Sequence, residues 1–250
     1  MLLSRYNLFS LKCLLLLLLV ATLAWAQDFD KGIDAYDHGN YEVALQNFRP
    51  LAEQGDAKAQ LFLGFMYGRG HSVSQDYEKA IKWIRKSAEQ EYAASQHSLG
   101  FMYEKGHGVS QDYEKAIKWY RKSAEQGDTD AQHSLGFMYY KGKGVQQDYK
   151  EAAKWFKKVA KKGGVEAQLN IGNMYRKGQG VLQDYGKAAE WFMKSGKQGN
   201  TEAQYNLGIS YFYGQGVQQD YEKASKWCRK SAVQGYAKAQ YNLGTMYRHG

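Results

Sequence analysis

Hydrophobic and polar residues along most of the chain follow a helical spacing. Residues 57–69, for example, place Ala59, Leu63, Met66 and Tyr67 on one face of a helix, because positions three, four and seven apart lie side by side. No segment alternates with the period of two that a half-buried strand requires, and β-branched residues are sparse. The pattern therefore predicts an all-α protein.

The helical pattern returns every 36 residues. A glycine inside a first helix recurs as Gly64, Gly100, Gly136, Gly172, Gly208 and Gly244. A tryptophan inside a second helix recurs as Trp83, Trp119, Trp155, Trp191 and Trp227. The first helix is expected to end at Gly70, and Asp76 is expected to cap the second by accepting free amide hydrogens of its first turn. Because one helix pair cannot bury its apolar face alone, the repetition predicts a stack of helix pairs.

Small residues at fixed places in the repeat predict close packing between the two helices. Gly64 and Ala80 carry little or no side chain, so the two backbones can approach, while Tyr67 and Trp83 are expected to fill the gaps between repeats. A leucine at Gly136 should therefore overpack this contact and destabilise the fold by roughly 1–3 kcal/mol or more.

The first 26 residues have the layout of a cleaved secretory signal. Arg5 and Lys12 give a positive start, residues 13–23 are almost entirely apolar, and the sequence Ala-Trp-Ala at 24–26 suits a signal peptidase. A membrane anchor is the weaker interpretation, since the apolar run is shorter than the ~20 residues that a spanning helix needs. The chain is therefore expected to be exported, to a periplasm or beyond.

The rest of the chain divides into a cap and a repeat array. Residues 27–56 fit the 36-residue frame incompletely and are expected to form an N-terminal capping helix pair. Residues 57–250 are expected to form five full repeats and a final partial one. The sequence stops at Gly250 after a first helix, which leaves open a fragment, a dimer or a partner contact at that end.

The repeat closely resembles a known family. Its motif reads A-x-A-Q-x-x-L-G-x-M-Y-x-x-G-x-G-V-x-x-D-Y-x-K-A-x-x-W. This motif is similar to that of the Sel1-like repeat family, relatives of the tetratricopeptide repeats, over about residues 28–250. The resemblance implies an α-solenoid, a right-handed superhelix of 36-residue helix-turn-helix repeats whose concave groove binds a protein or peptide. Cysteine-rich relatives that bind or hydrolyse β-lactams carry paired cysteines, which this chain lacks, so that activity is not expected.

The first-helix positions that vary between repeats are the candidates for binding. Positions 61, 65 and 68 and their equivalents share one helical face, which by resemblance lines the groove. Aromatic residues there offer large contact area, and an asparagine ladder at 170, 206 and 242 is expected to hydrogen-bond a peptide backbone. The candidate partner-binding residues are Phe65, His97, Phe101, His133, Phe137, Tyr140, Asn170, Asn173, Arg176, Tyr205, Asn206, Ile209, Phe212, Tyr241 and Asn242.

The charge of the chain does not indicate a nucleic-acid partner. The net charge is +9, but the lysines stripe the outer face of the second helices, as a solvated surface does. Glu78 stands four residues before Lys82, and the same spacing occurs in other repeats, which predicts intrahelical ion pairs.

Signals for catalysis are weak. His97 and His133 occupy equivalent positions in neighbouring repeats, but no carboxylate or thiol accompanies them at ligand spacing, so neither a metal nor a cofactor is expected. Cys228 replaces an aromatic residue and is expected to be buried. The prediction is a noncatalytic scaffold that binds a protein or peptide. A hydrolase of cell-wall or β-lactam substrates and a secreted effector that binds a host protein are the alternatives.

Overall fold

The computed structural model describes residues 29–248, in which every regular element is an α-helix. The predicted signal, residues 1–26, lies outside these residues. The helices are α1 (29–37), α2 (Tyr41–Glu53), α3 (Ala57–Arg69), α4 (Tyr77–Glu89), α5 (Ala93–Lys105), α6 (Tyr113–Glu125), α7 (Thr129–Lys141), α8 (Tyr149–Lys161), α9 (Val165–Lys177), α10 (Tyr185–Lys197), α11 (Thr201–Tyr213), α12 (Tyr221–Val233) and α13 (Ala237–Arg248).

The helices pack in the order in which they follow one another along the chain. Two compact units divide at Trp119 and Tyr120, inside α6. In unit 1, which ends at Trp119, α3 packs against α2 and α4, and α4 packs against α5. In unit 2, which begins at Tyr120, each helix from α7 to α13 packs against the next. Each unit is thus a stack of helix pairs, and the predicted fold class, an α-solenoid of 36-residue repeats, is confirmed.

The predicted ends of the repeat helices are also confirmed. Gly70 ends α3 with φ +72°, in the left-handed region that glycine adopts without strain, and its N–H donates to the Met66 carbonyl. Asp76 begins α4 in an extended conformation, and its Oδ1 accepts a hydrogen bond from the Lys79 amide at 2.8 Å. Asp220 caps α12 on Lys223 at the same distance. These local bonds satisfy amide and carbonyl groups that the helix ends would otherwise leave without partners.

The helix glycines mark the closest contacts within each pair. A Cβ added to Gly64 would lie 2.5 Å from Ile84 Cγ1 and 3.1 Å from the Ala80 carbonyl oxygen. At Gly136 the added Cβ would lie 2.9 Å from the ring of Phe156, which is buried. Even a methyl group therefore has no room between these helices, as the sequence predicts.

A loop glycine fixes the contact between successive repeats. Gly180 has φ +70°, and a Cβ on it would collide with the backbone carbonyl of Tyr149, at the start of the second helix of the preceding repeat. Gly216 stands in the same relation to Tyr185. The repeated Gly-x-Gly-Val loop thus contacts the beginning of the second helix of the preceding repeat.

The repeated glutamine forms a buried hydrogen-bonded link between repeats. Gln60 Nε2 donates to the Ala52 carbonyl at 3.1 Å, and its Oε1 accepts from Gln90 Nε2 at 2.9 Å. At the equivalent of Gln90 in a later repeat stands Lys162, whose ammonium donates instead to the Gly127 carbonyl at 3.0 Å. The buried Oε1 of Gln132 consequently has no hydrogen-bond partner in the part of the chain that the structure describes.

The outer lysines find partners other than those predicted. In the described residues no ion pair joins Glu78 to Lys82, so that prediction is wrong. The ion pair that forms joins Asp76 to Lys79 at 3.1 Å, because the capping carboxylate already accepts the amide of that lysine. Other lysines stand over the tryptophans, with an ammonium 4.2–4.5 Å from the ring centroid. The pairs are Lys86–Trp83, Lys158–Trp155, Lys194–Trp191 and Lys230–Trp227.

Cys228 is buried, as predicted. Its Sγ lies where a side chain at Gly208 would project, and burial raises the pKa of the thiol to about 11. The thiol therefore stays protonated at neutral pH and acts as a small packing group.

Candidate functional site

We call the variable face the positions 61, 62, 65 and 68 of α3 together with their equivalents at steps of 36 in the later first helices. The motif residues of the same helices, such as Leu63 and Met66, are buried. The variable residues are mostly half-buried or exposed. The repeat thus separates residues that hold the stack together from residues that face outward, and each unit presents its own part of this face.

In unit 1 the variable face carries the phenylalanines Phe62, Phe65 and Phe101. Phe65 is half-buried and meets Phe62 edge-on, with ring centroids 6.0 Å apart. His97 is half-buried. Phe101 is 43% exposed, its ring lies 5.9 Å from that of His107, and the Lys105 ammonium stands 5.5 Å from its centroid. A ring held beside a cation, yet open to solvent, is suited to contact another molecule.

In unit 2, helix α7 repeats this arrangement. Phe137 is 39% exposed and Tyr140 is half-buried. The Lys141 ammonium lies 5.6 Å from the Phe137 centroid and 5.5 Å from that of Tyr140. The Tyr140 hydroxyl also donates to Gln179 Oε1 at 3.2 Å, which fixes the ring. The sequence predictions do not include Lys141, although its spacing of four from Phe137 is visible in the sequence.

Helix α9 interrupts the aromatic row with polar side chains. Asn173 and Arg176, both half-buried, stand where α7 has Phe137 and Tyr140. An Arg176 guanidinium N–H donates to Asn173 Oδ1 at 3.1 Å. The Arg176 Nε is buried and has no acceptor among residues 29–248.

Helices α11 and α13 return to apolar and aromatic residues. Tyr205 and Ile209 are half-buried. Phe212 is half-buried against Tyr221, with ring centroids 5.3 Å apart. Tyr241 is 74% exposed. The candidate residues of unit 2 thus lie on the variable face of successive first helices, with the polar pair of α9 between aromatic groups.

The asparagine ladder connects neighbouring first helices. Asn170 Nδ2 lies 3.2 Å from His133 Nε2, and Asn242 Nδ2 donates to the Tyr205 hydroxyl at 3.1 Å. Each bond spans 37 residues and joins one first helix to the next. The sequence predicts instead that these amides hydrogen-bond a peptide backbone. In the structure, one N–H of each amide is already used inside the protein.

The middle asparagine of the ladder, Asn206, differs from the other two because it has no side-chain partner on the preceding first helix. Asn206 is 8% exposed, and its Nδ2 has no acceptor within the described range. The residue that would accept, by the 37-residue spacing of the other two rungs, is Leu169, which has no polar side-chain atom. The buried amide of Asn206 is therefore left without the bond that its equivalents make.

His133 is held as a neutral imidazole. An amide nitrogen can only donate, so Nε2 accepts from Asn170 and the ring proton is on Nδ1. Burial lowers the pKa of His133, and the Phe156 ring lies 5.4 Å away. The residue therefore acts as a structural acceptor at neutral pH.

The described residues contain neither a metal-binding cluster nor a membrane-spanning helix. Residues 29–248 contain no group of three or more His, Cys, Asp or Glu side chains that could hold a metal ion. Nor does any helix there combine the length and apolar character needed to cross a membrane.

Comparison with known proteins gives the family. The Sel1 repeat model matches residues 57–92, 93–128, 129–164, 165–200, 201–236 and 237–250. A Sel1 repeat protein from Oxalobacter formigenes is 34% identical, with 88% of each chain covered and a TM-score of 0.79. A protective antigen of uropathogenic Escherichia coli with an SLR fold is 37% identical, with a TM-score of 0.86. That match covers 90% of this chain but 49% of the antigen, so the chain spans about half of that relative.

A more distant solved structure shares only the fold with this chain. The Pseudomonas aeruginosa protein pilF has a TM-score of 0.64 at 17% identity, covering 90% of this chain and 98% of its own. None of the curated proteins matches the chain. With six matched repeats and two relatives above 30% identity, the chain belongs to the Sel1 repeat family, whose members generally mediate protein–protein interactions.

Proposed function

We propose that the protein is an exported, noncatalytic scaffold that binds a segment of another protein on its variable face. The observation that carries this proposal is the exposure of aromatic side chains on otherwise well-buried helices. Phe101 and Phe137 are open to solvent, whereas the motif leucines two residues before them, Leu99 and Leu135, are fully buried. When a partner covers large exposed apolar groups, the free energy of the complex is lowered. Aromatic residues contribute most of the binding energy in such interfaces.

The test is a pull-down from the envelope fraction of the producing cell. The wild-type protein is compared with a variant that combines Phe137→Ala and Phe212→Ala on the variable face. A matched control combines Leu182→Ala and Val233→Ala, which removes exposed apolar groups away from that face. We expect one protein to be retained by wild type and control, and its affinity for the variable-face variant to fall at least about tenfold.

Circular dichroism checks that both variants remain folded. Equal retention by wild type and the variable-face variant would refute binding at these residues. If only the control variant fails to retain the protein, binding takes place at Leu182 and Val233 and not on the variable face.

Export is supported by the sequence of residues 1–26 and has a separate test. We expect the protein recovered from the envelope or medium to begin at residue 27, as Edman sequencing or intact mass would show. If the protein is found inside the cell and still begins at residue 1, export is contradicted.

A further inference from the structure

Two buried hydrogen-bond donors on the variable face of unit 2 have no acceptor. They are Arg176 Nε on α9 and Asn206 Nδ2 on α11, neither of which has a hydrogen-bond partner among the described side chains and backbone. A buried donor without a partner destabilises the folded chain, and the cost is larger when the donor is charged. Both groups can only donate through these atoms, so the group that would complete them is an acceptor.

Arg176 is oriented but has no counterion. Asn173 Oδ1 accepts one of its guanidinium N–H groups at 3.1 Å and so restricts the side chain. The acidic residue of the same helix, Glu166, stands ten residues earlier, about 15 Å away along the axis. Its carboxylate accepts instead from Asn200 Nδ2 at 2.8 Å. Within the described chain, no ion pair includes Arg176.

Three other arginines of the described residues donate to tyrosine hydroxyls. An N–H of Arg69 donates to the Tyr36 hydroxyl at 2.9 Å, and Arg85 donates to the Tyr103 hydroxyl at the same distance. Arg121 donates to the Tyr139 hydroxyl at 2.6 Å. Arg176 differs from these because its one partner is a neighbouring amide on the variable face, while its Nε remains unused.

The residues around Arg176 indicate which kind of side chain would supply the acceptor. The residues in the register of Arg176 on the flanking first helices are Tyr140 and Phe212, both half-buried. On α7, α9 and α11 the acidic residues lie in the first turn, so no carboxylate of these helices competes near Arg176. The guanidinium is a planar donor that matches a carboxylate better than a neutral carbonyl.

We propose that Arg176, oriented by Asn173, forms a subsite for an acidic side chain of the bound segment. The apolar neighbours of that Asp or Glu contact Tyr140 and Phe212. This inference rests on the proposed function, since it specifies the chemistry of the segment that the variable face binds.

The test uses synthetic peptides, N-acetylated and C-amidated so that side chains supply the only carboxylates. Heptapeptides with a central Glu between aromatic and aliphatic residues are compared with peptides that carry Gln at the same place. We expect the wild-type protein to bind the Glu peptides about ten- to a hundredfold more tightly. Arg176→Gln should abolish this preference without weakening the binding of the Gln peptides. The control Arg85→Gln, which removes the same charge from α4, should retain the preference.

The outcomes separate the two proposals. Equal binding of Glu and Gln peptides, or a preference that survives Arg176→Gln, would overturn the acidic subsite and leave the variable face as a binding surface. If wild type binds no peptide of either set, the subsite and peptide binding by this face both fail. A thermal melt of each variant shows whether the fold is intact, and Arg176→Lys, which keeps the charge but not the fork, should restore only part of the preference.

Discussion

Two glycines of one helix allow a direct measurement of how closely the repeat packs. Gly64 and Gly68 lie one turn apart on α3 and both face α4. A Cβ at Gly64 would lie 2.5 Å from Ile84 Cγ1 and 3.1 Å from the Ala80 carbonyl oxygen. A Cβ at Gly68 would meet Ala80 Cβ at 3.6 Å, an ordinary van der Waals contact. The substitutions Gly64→Ala and Gly68→Ala therefore add the same methyl group to a crowded and an open place.

The difference in unfolding free energy between the two variants separates the cost of overpacking from the gain of replacing glycine by alanine. Replacing glycine by alanine inside a helix stabilises by about 0.5–1 kcal/mol, because the unfolded chain loses freedom. Gly68→Ala should show this gain alone. Gly64→Ala should show the same gain minus about 1–3 kcal/mol for overpacking, since the Ala80 carbonyl is backbone and Ile84 is buried. The two variants should thus differ by about 1–3 kcal/mol in the free energy of unfolding.

Thermal unfolding followed by circular dichroism measures the difference. At about 2–4 °C per kcal/mol for a chain of this size, Gly64→Ala should melt several degrees below Gly68→Ala. Combined with Ile84→Ala, the substitution Gly64→Ala should carry a smaller penalty, because the Cγ1 and Cδ1 atoms that the added methyl group would meet at 2.5 and 3.2 Å are then absent. If Gly64→Ala is as stable as Gly68→Ala, the repeated glycine is not required for close packing.

Three further predictions concern single positions in the repeat array. Glu91 has φ +64° where its equivalents in other repeats are glycines, so Glu91→Gly should raise the unfolding free energy by about 0.5–1 kcal/mol in urea titrations. Lys162→Gln should supply Gln132 Oε1 with its missing donor and stabilise by about 1 kcal/mol; no rise in the melting temperature would contradict the link. Burial lowers the pKa of His133 below 6.5, so the unfolded chain binds more protons near that pH. Stability should therefore be complete above about pH 6.5 and fall at lower pH, and His133→Gln, which keeps an acceptor for Asn170, should reduce that slope in melts between pH 5 and 7.5.

The helices and their ends could be predicted because their causes are local. A capping aspartate needs only the amides of the next turn, and a glycine at a helix end needs only its own φ, so Asp76 and Gly70 are readable from the sequence. The close contact at Gly64 is also readable, because a missing side chain repeated every 36 residues has few other uses. Repetition adds weight to each of these signals, since every repeat solves the same packing problem.

The partners of exposed charges could not be predicted from spacing alone. The i,i+4 rule pairs Glu78 with Lys82, but it ignores Asp76, whose carboxylate the helix end already holds beside Lys79. Lys86 similarly lies 4.4 Å from the Trp83 ring centroid, three residues earlier. Where several partners are within reach of a long side chain, the choice depends on which of them is already fixed in place.

The asparagines show why the candidate site was the least predictable part of the chain. Asn170, Asn206 and Asn242 look equivalent in sequence, yet the role of each depends on a residue 37 positions earlier, in another helix. Where that residue can accept, the asparagine joins two repeats; where it is Leu169, the amide of Asn206 stays unpaired. A duplicated repeat therefore loses a hydrogen-bonded link to its neighbour when one of two linked positions changes without the other. Such mismatches cost stability within the chain, because a buried donor without an acceptor loses the hydrogen bonds that it makes with water in the unfolded state.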